Sequence, residues 1–156
     1  MGNERKERAL KVFNNVCKAF DTHGWRYEKD EAELEIESGA KGEDIPIPVR
    51  FHIDEERQLA MLISILPFEV SEEKRLDVAI ATTYVNNRLV DGSFDYDISS
   101  GHMIFRITSS FIDSEVGEEA FSYMLFCACK TVDYFNDKFL MLSTGIISLE
   151  QFMKIC

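Results

Sequence analysis

Val85–Arg106 reads VNNRLVDGSFDYDISSGHMIFR, and two local structures compete for its acidic centre. The run DGSFDYD at 91–97 has the composition of a calcium loop. Such a loop needs the order D-x-[DN]-x-[DN]-G, so that oxygens at alternate positions converge and a glycine permits the sharp turn. Here Gly92 stands second and Phe94 fourth. A hairpin accounts for more residues. Phe94, Tyr96 and Ile98 alternate with Asp95 and Asp97, Ser99-Ser100-Gly101 makes a tight loop, and HMIFRITSSF alternates again. The stretch is therefore expected to be a helix end, closed by Asp91-Gly92, followed by two antiparallel strands with Asp95 and Asp97 facing solvent.

The helix before the hairpin is expected to start near Ser71, an N-cap followed by Glu72 and Glu73 in the dipole-favoured first turn. Its expected core stripe is Leu76, Ala79, Ile80, Thr83, Tyr84 and Asn87. The pair Asn86-Asn87 stands out, because an amide on an apolar stripe must find hydrogen bonds, either from the open carbonyls of the helix end or from a ligand.

Three strands are expected upstream of that helix. In AELEIES (32–38), Ala32, Leu34 and Ile36 alternate with Glu33, Glu35 and Glu37, the period of a half-buried strand. PVRFHID (48–54) repeats the pattern with Val49, Phe51 and Ile53 inward. QLAMLISIL (58–66) is apolar at every phase, as a central strand or one covered on both faces would be. A first helix, about Glu4–Thr22, carries Leu10, Phe13, Cys17 and Phe20 at helical spacing and stops at Gly24.

Downstream, a long helix runs from about Glu118 to Ser143. Phe121, Leu125, Ala128, Val132, Phe135 and Phe139 share its sheet-facing side. Tyr123, Phe126, Cys127 and Tyr134 fall on the other side, where a lone small domain would normally show charge. Such two-sided apolarity calls for a second cover, from the same chain or from a partner. Tyr123, Phe126, Cys127, Lys130 and Tyr134 are the candidate partner or dimer interface. A last short helix begins at Ser148, whose spacing to Gln151 fits a capping box. The expected order is α-β-β-β-α-β-β-α-α, an α+β fold with an antiparallel sheet packed against helices, in one domain spanning 1–156.

Composition narrows the function. The net charge of −11 works against a nucleic-acid partner, since affinity for a phosphate backbone comes from Lys and Arg. No window resembles a membrane span or a signal peptide, so a cytoplasmic protein is expected. The cysteines are Cys17, Cys127, Cys129 and Cys156, and their spacing with three histidines matches no zinc pattern. No nucleophile elbow and no carboxylic acid in an apolar pocket point to catalysis. Neither an enzyme, a metal nor a cofactor is expected.

The motifs ATTYVNNRLVDGSFDYDISSGHMIFR (81–106) and VDYFNDKFLMLSTGIISLEQF (132–152) resemble the YbjN family: a helix ending in an Asn pair, a G-x-F-x-Y-D hairpin, and a long helix, a glycine and a Ser-capped short helix. The likeness spans roughly Ala9–Met153 and is best from Ala81 onward. It implies a bacterial sensory transduction regulator, often dimeric, with a fold like that of class I type III secretion chaperones. Those chaperones dimerise and bind extended or amphipathic client segments, and the family has no catalytic residues to carry over.

Two functions of different classes follow. One is a non-enzymatic interaction module, a homodimer that holds a protein partner, with Glu33, Glu35 and Glu37 offering an acidic strand face to basic clients. The other is a small-molecule sensor or cryptic enzyme with a pocket between the second helix and the sheet, using Asn86, Asn87, Tyr84 or His102.

Overall fold

In the computed structural model, which describes residues 2–156, a six-stranded antiparallel sheet carries its helices on one face. The chain begins with α1 (Gly2–Thr22), then β1 (Tyr27–Asp30), β2 (Glu35–Ala40), β3 (Ile47–Asp54) and β4 (Leu59–Ile65). A 3-10 turn at Glu72–Lys74 leads into α2 (Arg75–Asn86), and β5 (Ser93–Asp97), β6 (His102–Ser110), α3 (Glu118–Ser143) and α4 (Leu149–Ile155) complete it. The sheet order is β1-β2-β3-β4-β6-β5. The α+β class and the order of helices are as expected, with one short strand, β1, added.

The core follows from period 2 on the strands and period 3.6 on the helices. Val49, Phe51 and Ile53 of β3, Leu62 of β4, Met103 and Phe105 of β6 and Phe94 of β5 are buried on one side. From the helix layer, α1 contributes Val12, Phe13, Val16 and Phe20, and α3 contributes Phe121, Leu125, Ala128, Val132 and Phe139. Aromatic edges lock the layers together: Phe51 meets Phe20 at 6.0 Å and Phe121 at 6.1 Å, while Phe94 meets Phe105 and Phe139, each at 5.1 Å. Each such ring contributes roughly 1.5–3 kcal/mol through burial.

The hairpin reading holds over Ser93–Ser110, but α2 already stops at Asn86, ahead of Asp91-Gly92, and Ile98 lies in the turn. Phe94 pairs with Phe105 and Tyr96 with Met103. Asp97 organises the connecting turn, its Oδ1 accepting from the Ser99 backbone N–H at 2.9 Å and its Oδ2 from the Ser100 hydroxyl at 2.8 Å. These donors, the Ser99 hydroxyl first among them, hold its carboxyl down to about 2. Gly101 closes the turn at φ +80°, and a Cβ there would lie 2.5 Å from the Val70 carbonyl oxygen. Only glycine fits both demands. The last helix starts as expected, with Ser148 and Gln151 forming a reciprocal capping box.

Two expectations need correction. Ala32 and Glu33 belong to the turn after β1 rather than to a strand, and Leu34, at φ +53°, ends that turn. Alternation beginning at Ala32 therefore described a turn for its first three residues. On α2 the buried residues are Val78, Ala81, Thr82 and Val85, so Leu76, Ile80, Thr83 and Asn87 face outward. Both stripes of α2 are apolar enough to serve, and tertiary packing selected the other one. Ser71 precedes the 3-10 turn in extended backbone but makes no side-chain cap; its hydroxyl donates to the Ser143 carbonyl at 3.3 Å.

Candidate protein-binding site

The outer side of α3 is where the sequence placed an interface. Nine of the twelve phenylalanines are fully buried, which makes Phe126, at 45% exposed, an exception. Tyr123 and Tyr134 on the same side are 59% and 52% exposed. The chain covers this side only in part. Phe126 packs edge-on against His23 at 4.7 Å and against Trp25 at 6.2 Å, both in the link between α1 and β1. The Tyr123 hydroxyl donates to the Asp91 carboxylate, which holds the phenol's pKa up. Cys127 is half-buried and Lys130 exposed.

Beyond Lys130 the surface opens into a cleft of about 510 Å³ between α3 and the β2–β3 loop. The Asp133 carboxylate accepts the Glu43 backbone N–H at 2.8 Å and ties that loop to the helix. The Lys138 ammonium sits 4.1 Å from the Tyr134 ring centre in a cation–π contact, and both residues line the cleft.

The thiols are not poised for chemistry. Burial raises the pKa of all four cysteines, to about 11 for Cys129 and Cys156, so they remain protonated near neutrality.

The acidic strand face is real but displaced toward β1. Glu35 and Glu37 lie on β2, pointing away from the helices, whereas Glu33 sits in the preceding turn. Their direct neighbours on β1 are Asp30 and Glu28. Opposed residues of an antiparallel pair share a face, so four carboxylates gather there. On the other flank Arg50 pairs with Glu35 and reaches Glu37 at 3.9 Å, and His52 Nδ1 lies 3.4 Å from Glu35. Sequence reasoning missed Glu28 and Asp30 because it missed the strand that carries them.

The asparagine pair divides. The Asn86 amide nitrogen donates to the Phe94 carbonyl and its oxygen accepts the Phe94 N–H, each at 2.8 Å. Asn87 is exposed. The Tyr84 hydroxyl donates to the Met153 carbonyl at 2.8 Å. Asn86 and Tyr84, the inward-reaching groups of the small-molecule reading, are thus engaged by backbone.

The comparisons with known proteins agree with this architecture. A family model described as "Putative bacterial sensory transduction regulator", YbjN, matches residues 13–141. The chain belongs to the YbjN family. Among solved structures it is similar to YbjN from E. coli, with a TM-score of 0.56 and 9% identity over 78% of this chain and 85% of that one. It is also similar to the ExsC–ExsE complex, with a TM-score of 0.58 and 13% identity over 81% of this chain and 92% of that one. At such identities the likeness concerns the fold, which is of the type III secretion chaperone-like class. No curated protein sequence matches the chain. Among the described residues no helix is long and apolar enough to cross a membrane.

Proposed function

We propose that this YbjN-family chain is a non-enzymatic, cytoplasmic interaction module that pairs with itself and holds a protein partner. The observation that carries this reading is the outer side of α3. Its inner side fills the centre of the core, yet Tyr123, Phe126 and Tyr134 remain about half exposed on the opposite side. Aromatic side chains in such positions are the residue types that anchor protein interfaces, because each buries a large area at little cost in rotamer entropy. Cys127 and Lys130 complete the patch. A similar fold occurs in ExsC, which was solved in complex with ExsE, and this supports binding of a second protein as the task of the scaffold.

The test is absolute mass in solution by light scattering at micromolar concentration. The wild type is expected at twice the chain mass of 18.0 kDa, and Phe126→Glu at that mass. Unchanged far-ultraviolet dichroism in the variant would show that it still folds. A monomeric wild type, or a variant that stays dimeric, would remove α3 as the self-pairing surface.

A further inference from the structure

The free edge of β1 is the second surface the fold leaves without a structural role. At the opposite edge of the sheet, Asn86 satisfies both the N–H and the C=O of Phe94. At this edge β1 has β2 as its single strand neighbour. Among the described residues no side chain or loop hydrogen-bonds the backbone of Tyr27–Asp30 on its outer side. Alternate residues of an edge strand present an N–H and a C=O outward, the template for one more strand.

The charges beside that edge are arranged at a cost. Glu28 stands directly opposite Glu37, and Asp30 directly opposite Glu35. Like charges in opposed positions destabilise a strand pair. Arg50 lies on the far flank, against Glu35 and Glu37, and leaves Glu28 without a cation. The other side of β1 is different: Tyr27 lies against Phe20, their ring centres 5.1 Å apart. The two sides of this edge therefore ask for different side chains.

We infer that β1 accepts an added strand from a protein partner, an extended basic segment with Lys or Arg at every second position. Side chains of a strand alternate between faces, so the cations of such a segment fall beside Glu28 and Asp30 while the intervening residues fall beside Tyr27. The inference rests on the protein-binding reading above and names the chemistry of the partner. It places the client on β1, apart from the self-pairing side of α3.

The probe is a synthetic peptide of about ten residues alternating lysine and threonine, long enough to cover a strand of ordinary length. Controls are a peptide of the same composition with its lysines clustered, and two versions N-methylated on the lysine amides or on the threonine amides. Binding is measured by calorimetry, and its location by amide exchange of Tyr27–Asp30. The alternating peptide is expected to protect β1. One methylated version should lose binding and the other keep it, since only alternate amides face β1. The double variant Glu28→Gln/Glu37→Gln should bind about tenfold more weakly. Equal binding of the clustered and both methylated peptides would reduce the effect to unspecific charge attraction and overturn the inference. So would protection on α3 instead of β1, which would leave the protein-binding reading standing, and so would no binding at all. Loss of self-pairing in the mass measurement would leave protection of β1 unaffected, so the two failures are distinguishable.

Discussion

The β5 edge and the β1 edge of this sheet face the same hazard, a row of unpaired backbone groups, and meet it differently. At β5 a side chain from the neighbouring helix acts as a substitute strand: Asn86 offers Phe94 one donor and one acceptor, both at 2.8 Å. The ring of the same Phe94 is buried among Phe105, Phe135 and Phe139. At β1 the strand is four residues long, three of them exposed, and the protection is charge. Short strands and charged side chains discourage neutral edges from pairing but welcome one of opposite sign. One edge is capped by a side chain at Phe94, and the other is guarded by charge.

The comparison can be broken at its strongest point first. Phe94→Ala should cost about 3–5 kcal/mol through the lost ring and the cavity left behind, read from urea unfolding. No substitution on β1 should approach that figure. Asn86→Ala should cost about 1–3 kcal/mol, because it strands a part-buried N–H and C=O. The same variant should self-associate through β5, visible as concentration-dependent mass, while Asn87→Ala does neither.

The charged edge is sharpened by the opposite sign of effect. Glu28→Lys turns a like-charge pair with Glu37 into an attractive one and should stabilise the fold by about 0.2–1 kcal/mol, read from the same unfolding curves. The smallest effect concerns the turn between β5 and β6. Asp97 is held down to about 2 from an ordinary 3.8, so the stability it lends is complete above pH 4 or so and vanishes as pH falls through about 2. A carboxyl carbon titration by NMR should place its midpoint near that lower value.

What the sequence reveals depends on whether a residue's reason is local. The hairpin at 93–110, the capping box at Ser148 and the two sides of α3 are legible because alternation, turn chemistry and helical spacing are written into neighbouring residues. β1 escapes notice because Tyr-Glu-Lys-Asp has one apolar residue and no alternation, and a strand that rests on its neighbour needs no more. The inward face of α2 is ambiguous for the converse reason. Leu76 and Ile80 form as good a stripe as Val78, Ala81 and Val85, and the choice belongs to the elements α2 meets in the fold, β5, α4 and α3. Asn86 attracts attention as an oddity, but its partner, the backbone of Phe94, is defined only once the hairpin folds back along the helix. The acidic strand face is half legible: Glu35 and Glu37 fall on a strand as expected, while Glu28 and Asp30 join them only through strand pairing.

Trp25, the chain's one tryptophan, stands two residues before β1 and touches Phe126 on the outer side of α3. The molecule therefore contains its own fluorophore at the junction of the two surfaces. Self-pairing over Phe126 should shift the emission of Trp25 to the blue as water leaves its ring. The double variant Glu28→Gln/Glu37→Gln, which leaves Phe126 in place, should keep that shift.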